Sequence, residues 1–362
     1  MDASTLANAS VVGIGESTRF AHETFALRDD LFRDLVEHYN FRTLAIQDSA
    51  DVAEALDAYV REGKGTAVSA LDNAWRPWRT GEMVAALSWI REFNEAHPGD
   101  QVQIIGVKPV QAKPEDYDAV LDAVRAHAPS YAAALASHLE PIRTAHAVDE
   151  HVQRARGTHP GRPFLDHARD ASALIAEIPD LDETIRTRMA LIEDFHKHSV
   201  AGRGSFAGEG RLWATSIIEH HRRTGSRIVY WDGIAHVSAE STTLGKAADQ
   251  GDIVTVGSVL REHFGRDYAS VAIGFHHGNV GVAEIPAPAP DFLDAELGDG
   301  SDRIQWLDMR TDPISKPVKM RVISGVYDPA RDAEEHLAIR NLSEAFDVLI
   351  HIPEVTPVSW LS

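Results

Sequence analysis

The stretch VVGIGESTRFAHETFALRDDL, residues 11–31, sets the architecture of this 362-residue chain. Its first six residues are apolar, β-branched or glycine up to a glutamate, which is typical of a buried strand. A serine, a threonine, an arginine and a histidine follow within a few positions. The next segment, 25–39, is an amphipathic helix with four apolar residues on one face, namely Leu27, Leu31, Leu35 and Val36. A strand that leads into a helix indicates a βα unit of an α/β fold.

Further apolar runs with the composition of strands recur along the chain, at 43–49, 102–109, 227–233, 268–275, 320–327 and 347–353. Helical patterns over 51–61 and 82–97 separate the early runs, and this alternation predicts a mostly parallel central sheet flanked by helices. From Lys113 to Arg222 no strand pattern is convincing. We interpret this segment as an inserted helical subdomain of three to five helices over the cleft, which divides the chain into 1–112, 113–222 and 223–362.

Composition narrows the possible partners. The formal net charge of −20 argues against nucleic acid and against an anionic membrane, because both need a basic surface. The chain has no cysteine, which excludes thiol catalysis and thiolate metal sites. Neither a signal-peptide pattern nor an apolar run of about 20 residues is present, so we expect a cytoplasmic protein that binds a small molecule. Its oligomeric state is not predicted.

Polar side chains follow the ends of the predicted strands. In an open α/β sheet the carboxyl ends of parallel strands share one edge, and ligands bind there. Five strand ends would therefore bring together Glu16, Arg19 and His22, then Gln47 and Asp48, then Lys108, then Asp232 and His236, and finally His276 or His277. Successive side chains of a strand point to opposite faces, so only one of the last two is expected in the cleft.

Each of these groups also has a structural interpretation. Glu16, at a strand–helix junction, is a candidate helix cap. Arg19 or Arg28 is a candidate for a surface ion pair with Asp29 or Asp30. These interpretations stay open at the level of sequence.

The histidines have structural alternatives too. His236 follows a buried strand and is a candidate for a satisfied structural histidine, and His22 for a surface residue in the first helical turn. The tract FHKHS, residues 195–199, resembles a metal-binding sequence, but its spacing favours a solvated helix end. No GxGxxG, P-loop, GxSxG or HExxH motif is present. We therefore expect neither a cofactor nor a catalytic metal.

Several blocks resemble the erythromycin esterase family. GESTRFAHETFALRDDL (15–31) is similar to the family's Gly-Glu-x-Thr-His motif with its following Glu, Phe and Leu-Arg. The similarity continues through FRTLAIQDSADVAEALDAYV, WRTGEMVAALSWIREFNE (78–95) and QIIGVK. It resumes at Arg211 and runs through VYWDGIAHV (229–237), YASVAIGF and FDVLIHIPEVTP (346–357).

The resemblance implies an α/β core with a helical subdomain over the cleft, and ester hydrolysis without a metal. In the family a histidine of the first motif activates water, and a glutamate at the end of the second strand assists. Four family positions are intact here, and they are Glu16, Glu23, Arg28 and His236. The catalytic histidine falls on Arg19 and the glutamate on Gln47. The first histidine of the family's Trp-Ala-His-Asn-Ala-His block falls on Gly233, and an aspartate falls on Lys108.

These replacements remove the family's general base, because an arginine stays protonated near neutral pH and a glutamine takes up no proton. Two hypotheses follow. One is a diverged enzyme that acts on a polyketide- or lactone-type natural product by acyl transfer, cyclisation or elimination; ordinary ester hydrolysis with His22 as base is a variant of it. The other is a non-catalytic protein that binds and sequesters a ligand. The candidate catalytic residues are Glu16, Arg19, His22, Arg28 and His236. The candidate substrate-binding residues are Glu23, Gln47, Asp48, Trp78, Lys108, Arg211, Asp232 and His276.

Overall fold

The computed structural model describes residues 3–159, 161–199, 209–245, 253–298, 303–325, 327–334 and 336–361. The chain forms two compact units. The first consists of Met1–Pro109 together with Gly208–Ser362, and the second of Val110–Ala207. The chain therefore leaves the first unit once and returns to it.

All strands of the described residues belong to the first unit. They are β1 (Val11–Glu16), β2 (Phe41–Ser49), β3 (Gln103–Lys108), β4 (Arg227–Gly233), β5 (Thr243–Leu244), β6 (Tyr268–Asn279), β7 (Glu284–Ile285), β8 (Gln305–Asp308), β9 (Val318–Arg321), β10 (His336–Ile339) and β11 (Val348–Val355). The helices of this unit are α1 (His22–Tyr39), α2 (Ala50–Glu62), α3 (Ala67–Ala70), α4 (Gly81–Ala96), α10 (Glu209–Thr224), α11 (Ile234–Val237), α12 (Val256–Phe264), α13 (Leu293–Gly298) and α14 (Leu342–Ala345).

The main sheet has the order β3-β2-β4-β1-β6-β11-β8, with β7 paired to the end of β6. Every pair from β3 to β11 is parallel, and only β7 and β8 are antiparallel to their neighbours. The mostly parallel sheet that the sequence predicts is therefore confirmed. β1 lies centrally, with β2 and β3 on one side and β6 and β11 on the other, which is the arrangement that creates a ligand crevice at the carboxyl edge.

Helices cover both faces of this sheet. The six residues of β1 are all buried, as its apolar sequence predicts. Its residues Val12 and Ile14 contribute to the core shared with α1, α2 and α4, whereas Val11 belongs to the core shared with α10 and α12. Gly15 brings α11 close, because a Cβ atom at this position would lie 2.7 Å from the Cα atom of Ile234. The short helix that carries His236 can pack directly on β1 for this reason.

The sequence pattern was wrong for 320–327. Among the described residues of this range, only the end of β9 (Val318–Arg321) is a strand, and β9 belongs to a separate antiparallel sheet with the order β5-β10-β9. The strand ends at Arg321, whose backbone N–H donates to Asp294 and whose buried side chain pairs with Asp332. Ile323 then forms an isolated bridge to Thr18. Strands β8 and β10 are too short to give a pattern in the sequence.

The second unit is helical. It contains α5 (Pro114–His127), α6 (Pro129–Arg143), α7 (Glu150–Ala155), α8 (Phe164–Glu177) and α9 (Glu183–His198), which share one apolar core. As predicted, the described residues between 113 and 222 include no strand, but they form six α-helices rather than three to five. The sixth, α10, packs on α12 and β3 in the first unit. No helix in the described ranges is long and apolar enough to cross a bilayer.

Candidate functional site

A buried ion pair lies behind the carboxyl edge of β1. Glu16 ends this strand, is 3% exposed, and accepts a 2.5 Å hydrogen bond at Oε2 from Nη1 of the fully buried Arg28. The Arg28 guanidinium lies 4.3–5.0 Å from the ring centroids of Phe25, Trp78 and Trp231. Burial raises the pKa of Glu16 and lowers the pKa of Arg28, and their mutual attraction opposes both shifts. The pair fixes the position of the Glu16 carboxylate.

Arg19 is held by two carboxylates. Its Nε donates to Oε1 of Glu16 at 2.8 Å, and its Nη2 donates to Oδ1 of Asp232 at 2.6 Å. The guanidinium also lies 4.4 Å from the ring centroid of Trp75. The side chain is 14% exposed, and its Nη1 is buried without a hydrogen-bond partner in the described part of the chain. Arg19 is therefore fixed in place with one donor group unused.

Asp232 completes the support of Arg19 from the neighbouring strand, where it pairs with Gly15 across the β1–β4 register. Its Oδ1 also accepts from the backbone N–H of Gly233 at 2.6 Å, and its Oδ2 accepts from the hydroxyl of Tyr230. Burial and the adjacent carboxylate raise the pKa of Tyr230 well above its usual range, so the hydroxyl stays protonated. Both oxygens of the fully buried Asp232 are thus engaged.

Gly233 lies close to both Arg19 and His236. A Cβ atom at this position would lie 3.1 Å from Nη2 of Arg19 and 3.9 Å from Cδ2 of His236. His236 is half-buried and packs against Trp213 of α10, with 5.2 Å between the ring centroids. A side chain at this position would therefore crowd the guanidinium and lie near the imidazole.

Lys108 ends β3 beside two indole rings. Its Nζ lies 5.1 Å from the centroid of Trp75 and 5.2 Å from that of Trp213. The adjacent Asp48 accepts from the backbone N–H groups of Ser49 and Trp75, both at 2.8 Å. Burial raises the pKa of Asp48, and Lys108 opposes this shift. Cations and indole rings therefore alternate around the edge from Arg19 to His236.

Gln47 and Trp78 line the interior of the same edge. Nε1 of Trp78 donates to the backbone oxygen of Gln47 at 3.2 Å. The Gln47 side chain is 6% exposed, and its Oε1 has no hydrogen-bond partner among the described residues. Trp78 thus packs on Arg28 and holds β2 rather than facing a ligand.

Two candidates at the start of α1 have structural partners instead. The side chain of His22 is 52% exposed and its Nδ1 lies 2.9 Å from Oε1 of Glu82. Glu23 accepts from the backbone N–H and the hydroxyl of Thr356, at 2.7 and 2.6 Å. Neither residue contacts Glu16, Arg19 or Asp232 through any hydrogen bond in the described chain, so both tie α1 to neighbouring segments.

Arg211 and His276 also stand apart from these contacts. Arg211 is exposed at the start of α10. Nδ1 of His276 lies 3.0 Å from Nδ1 of His277, and its backbone oxygen accepts from Arg321. The His276 pair therefore belongs to the contacts that join β6 to β9. The sequence predicted that only one of these two adjacent side chains would enter the cleft. The structure instead brings both rings into contact with each other at the end of β6.

The structure settles two of the alternatives left by the sequence. Glu16 does not cap α1, since the N-cap position is Ala21 and no side chain caps it. Arg28 does not form a surface pair, because Asp29 binds Arg33 instead.

Sequence reasoning missed three residues of this edge, which are Trp75, Trp213 and Tyr230. Only Tyr230 carried a signal, because it precedes Asp232 by two positions in one strand and therefore shares its face.

The described residues contain no group of three or more His, Asp or Glu side chains arranged to hold a metal ion. The polar groups at this edge that are partly exposed are instead two cations, Arg19 and Lys108, and the imidazole of His236. Chemistry without a metal stays a prediction.

Comparisons with known proteins identify solved structures that share this architecture. Three solved structures align over nearly the whole chain. A Bacillus cereus protein is 19% identical, with 99% of this chain and 92% of the other covered and a TM-score of 0.66. A succinoglycan biosynthesis protein is 17% identical, with 99% and 91% covered and a TM-score of 0.64. A histidine-to-asparagine variant of the erythromycin esterase EreC in its open conformation is 18% identical, with 98% and 93% covered and a TM-score of 0.60.

These likenesses establish the fold, and the predicted α/β architecture is confirmed by them. Family assignment rests on sequence. The model of the erythromycin esterase family matches residues 36–355, which is most of the chain. The resemblance read from the motifs is therefore correct, and this chain belongs to the erythromycin esterase family.

Proposed function

We propose that this protein is a metal-free enzyme that acts on the carbonyl group of an ester- or lactone-type natural product, with Arg19 stabilising the oxyanion. Family membership supports an esterase-type function. The observation that carries the proposal is the state of Arg19, which is fixed by two carboxylates and keeps Nη1 without a partner. A preorganised donor beside a developing negative charge is typically the largest single contribution to catalysis of this kind.

The proposed reaction is acyl transfer. His236 takes a proton from the attacking hydroxyl or water, the nucleophilic oxygen bonds to the carbonyl carbon, and the carbonyl oxygen becomes an oxyanion that accepts from Nη1 of Arg19. The intermediate then collapses, the C–O bond to the leaving group breaks, and His236 returns the proton to the departing alkoxide. Cyclisation follows the same steps when the attacking hydroxyl belongs to the substrate. An elimination would use the same donor for an enolate oxygen.

The replaced family positions support an altered site rather than a decayed one. A histidine at 233 would crowd Nη2 of Arg19, because even a Cβ atom there would lie 3.1 Å away. Asp232 stands where the family's block has alanine, and it provides the second carboxylate that Arg19 needs. The changes at positions 19, 232 and 233 are physically compatible. Arg19 gains a carboxylate partner in Asp232, and Gly233 carries no side chain that would displace the guanidinium. A buried guanidinium without such partners would cost several kcal/mol.

The test is a series of substitutions at Arg19. Arg19→Ala removes the donor and should lower kcat on a turned-over ester by about 10²–10³. Arg19→Lys keeps the charge but loses the planar fork, and should cost about tenfold or more. Full activity of Arg19→Ala would refute the proposal.

The proton-transfer role is tested by a matched pair of histidine variants. His236→Gln should lower kcat by about 10² or more, as the loss of a general base does. His22→Gln is the control, since that ring is held by Glu82. Loss of activity in His22→Gln alone would assign the base to His22 instead.

A non-catalytic ligand-binding role is the second candidate, and the loss of the family's His and Glu at positions 19 and 47 favours it. Arg19→His with Gln47→Glu restores that couple. If the native protein turns over no ester while this double variant does, the native protein is a binder. If the native protein forms a product that the double variant replaces with simple hydrolysis, the enzyme hypothesis holds.

A further inference from the structure

We infer that the ligand of this cleft carries a negatively charged group beside an apolar or aromatic portion. The inference deepens the proposed function, since it concerns the substrate class of the same site. It comes from which charges along the edge of β1, β2, β3 and β4 are buried with every oxygen engaged, and which keep N–H donors without a partner in the described chain.

The carboxylates at this edge are closed to a ligand. Glu16 is 3% exposed, Asp48 is 4% exposed, and Asp232 is fully buried. Each has both oxygens engaged: Glu16 by two arginines, Asp48 by two backbone N–H groups, and Asp232 by Arg19, the Gly233 N–H and Tyr230. A cationic ligand would find no free carboxylate oxygen among them.

The two cations at this edge, Arg19 and Lys108, are less fully engaged than the carboxylates. Arg19 keeps Nη1 without a partner, and Lys108 is partly exposed with its ammonium group placed between two indole rings. Cation–π contacts hold such groups without satisfying their N–H donors. The ammonium donors of Lys108 are therefore available to an anion, and charge-assisted hydrogen bonds to carboxylates are among the stronger ones. Nη1 of Arg19 is buried and has no partner in the described chain.

Trp75 and Trp213 are the reason for expecting an apolar or aromatic portion in the ligand. Both indole rings lie against Lys108, and Trp75 also lies against Arg19. A ligand that reaches both cations must pass along these rings. Apolar surface beside the anionic group would therefore pack on them, whereas a bare inorganic anion would leave this surface unused.

The kinetic test compares two esters that differ only in a terminal charge, the mono-4-nitrophenyl ester of glutaric acid and 4-nitrophenyl pentanoate. We expect a KM at least about tenfold lower for the charged ester. Lys108→Met should abolish that preference by raising KM for the charged ester at least about tenfold relative to KM for the neutral ester. Lys108→Arg should preserve the preference, because it keeps the charge. Equal KM values for both esters in the native protein would overturn the inference.

A binding test makes the inference independent of turnover. Benzoate and benzamide have the same ring and differ in charge, so calorimetric titration of the full chain with each isolates the anion. Benzoate should bind at least about tenfold more tightly, and Lys108→Met should remove the difference. If this holds and no ester is turned over, the inference stands and the proposed catalysis fails. If neutral esters are turned over and benzoate binds no better than benzamide, the proposed function stands and the inference fails.

Discussion

The edge of the parallel sheet and the core of the helical unit both place polar side chains away from water, but the two clusters differ in charge. At the sheet edge Glu16 forms ion pairs with Arg28 and Arg19, and Arg19 also pairs with Asp232. In the helical unit the hydroxyl of the buried Tyr117 lies 2.8 Å from Nε2 of His196 and 3.2 Å from Nε2 of His146.

The helical cluster is neutral and closed on itself. Burial lowers the pKa of His196 to about 3 and that of His146 to about 4, and it raises the pKa of Tyr117. A hydroxyl donates one hydrogen bond and accepts others, so Tyr117 can satisfy both rings at once. The sheet-edge cluster instead leaves Nη1 of Arg19 and Nε and Nη2 of Arg28 without partners among the described residues. The helical cluster therefore satisfies its own polar groups, whereas the sheet-edge cluster does not.

The largest effect should come from breaking the charged cluster. Arg28→Met removes the cation from a buried carboxylate and should lower the free energy of unfolding by about 3–5 kcal/mol at neutral pH. Chemical denaturation measures this loss. Protonation of Glu16 relieves the unpaired charge, so the loss should shrink as the pH falls toward 5.

The double variant Glu16→Gln with Arg28→Met is the matched control. Replacing both partners should recover a large part of the lost stability, because no uncompensated charge remains. Arg28→Met costing less than about 1 kcal/mol would show that the sheet-edge cluster does not depend on this ion pair.

The contrast also explains what the sequence could predict. Glu16 and Asp232 each end an apolar run, and the shared edge of parallel strands was enough to bring them together. That they are direct neighbours depends on β4 inserting between β1 and β2, more than 200 residues after β1 begins. Strand order of this kind leaves no local pattern.

Side-chain partners were harder to predict from the sequence than strand order. His22 has the spacing of a candidate base, but its imidazole contacts the carboxylate of Glu82 in α4 instead of the site. Trp75 and Trp213 lie in segments without strand character and reach the site only through packing. The tyrosine–histidine cluster was not predicted either, because Tyr117, His146 and His196 come from separate helices and are 29 and 79 residues apart in the chain.

The next largest effect should be a pH-dependent loss of stability that comes from the neutral tyrosine–histidine cluster. In the folded chain His196 takes up a proton only near pH 3, whereas in the unfolded chain it does so near pH 6.5. Below pH 6.5 the unfolded state therefore binds more protons, and stability is lost as the pH falls; above 6.5 the contribution is fully present. At pH 5 the loss should be about 2 kcal/mol for this histidine.

His196→Gln keeps a hydrogen-bonding side chain that does not titrate, and its stability should fall less steeply between pH 7 and 5. Hydrogen exchange in α5 and α9 is the suitable measurement, because His220 of the first unit also has a pKa lowered to about 4 and contributes to global unfolding. Identical pH dependence of exchange in both proteins would contradict a neutral, titration-sensitive cluster.

The smallest effect should come from adding a methyl group at Gly233, where the backbone lies close to Arg19. Gly233 has φ −72° and ψ 153°, which alanine adopts without strain, so Gly233→Ala should change the free energy of unfolding by less than about 1 kcal/mol. Its Cβ would lie 3.1 Å from Nη2 of Arg19, and the guanidinium would have to move by a few tenths of an ångström. Because Glu16 and Asp232 hold that guanidinium, the shift should misplace Nη1 and lower kcat/KM about three- to tenfold. Gly99→Ala is the matched control, since nothing lies within 4 Å of its Cβ position. Unchanged kcat/KM in Gly233→Ala would mean that neither the ligand nor the working position of Arg19 depends on the lack of a side chain at Gly233, and the sheet-edge cluster would then resemble the helical one as a structural core.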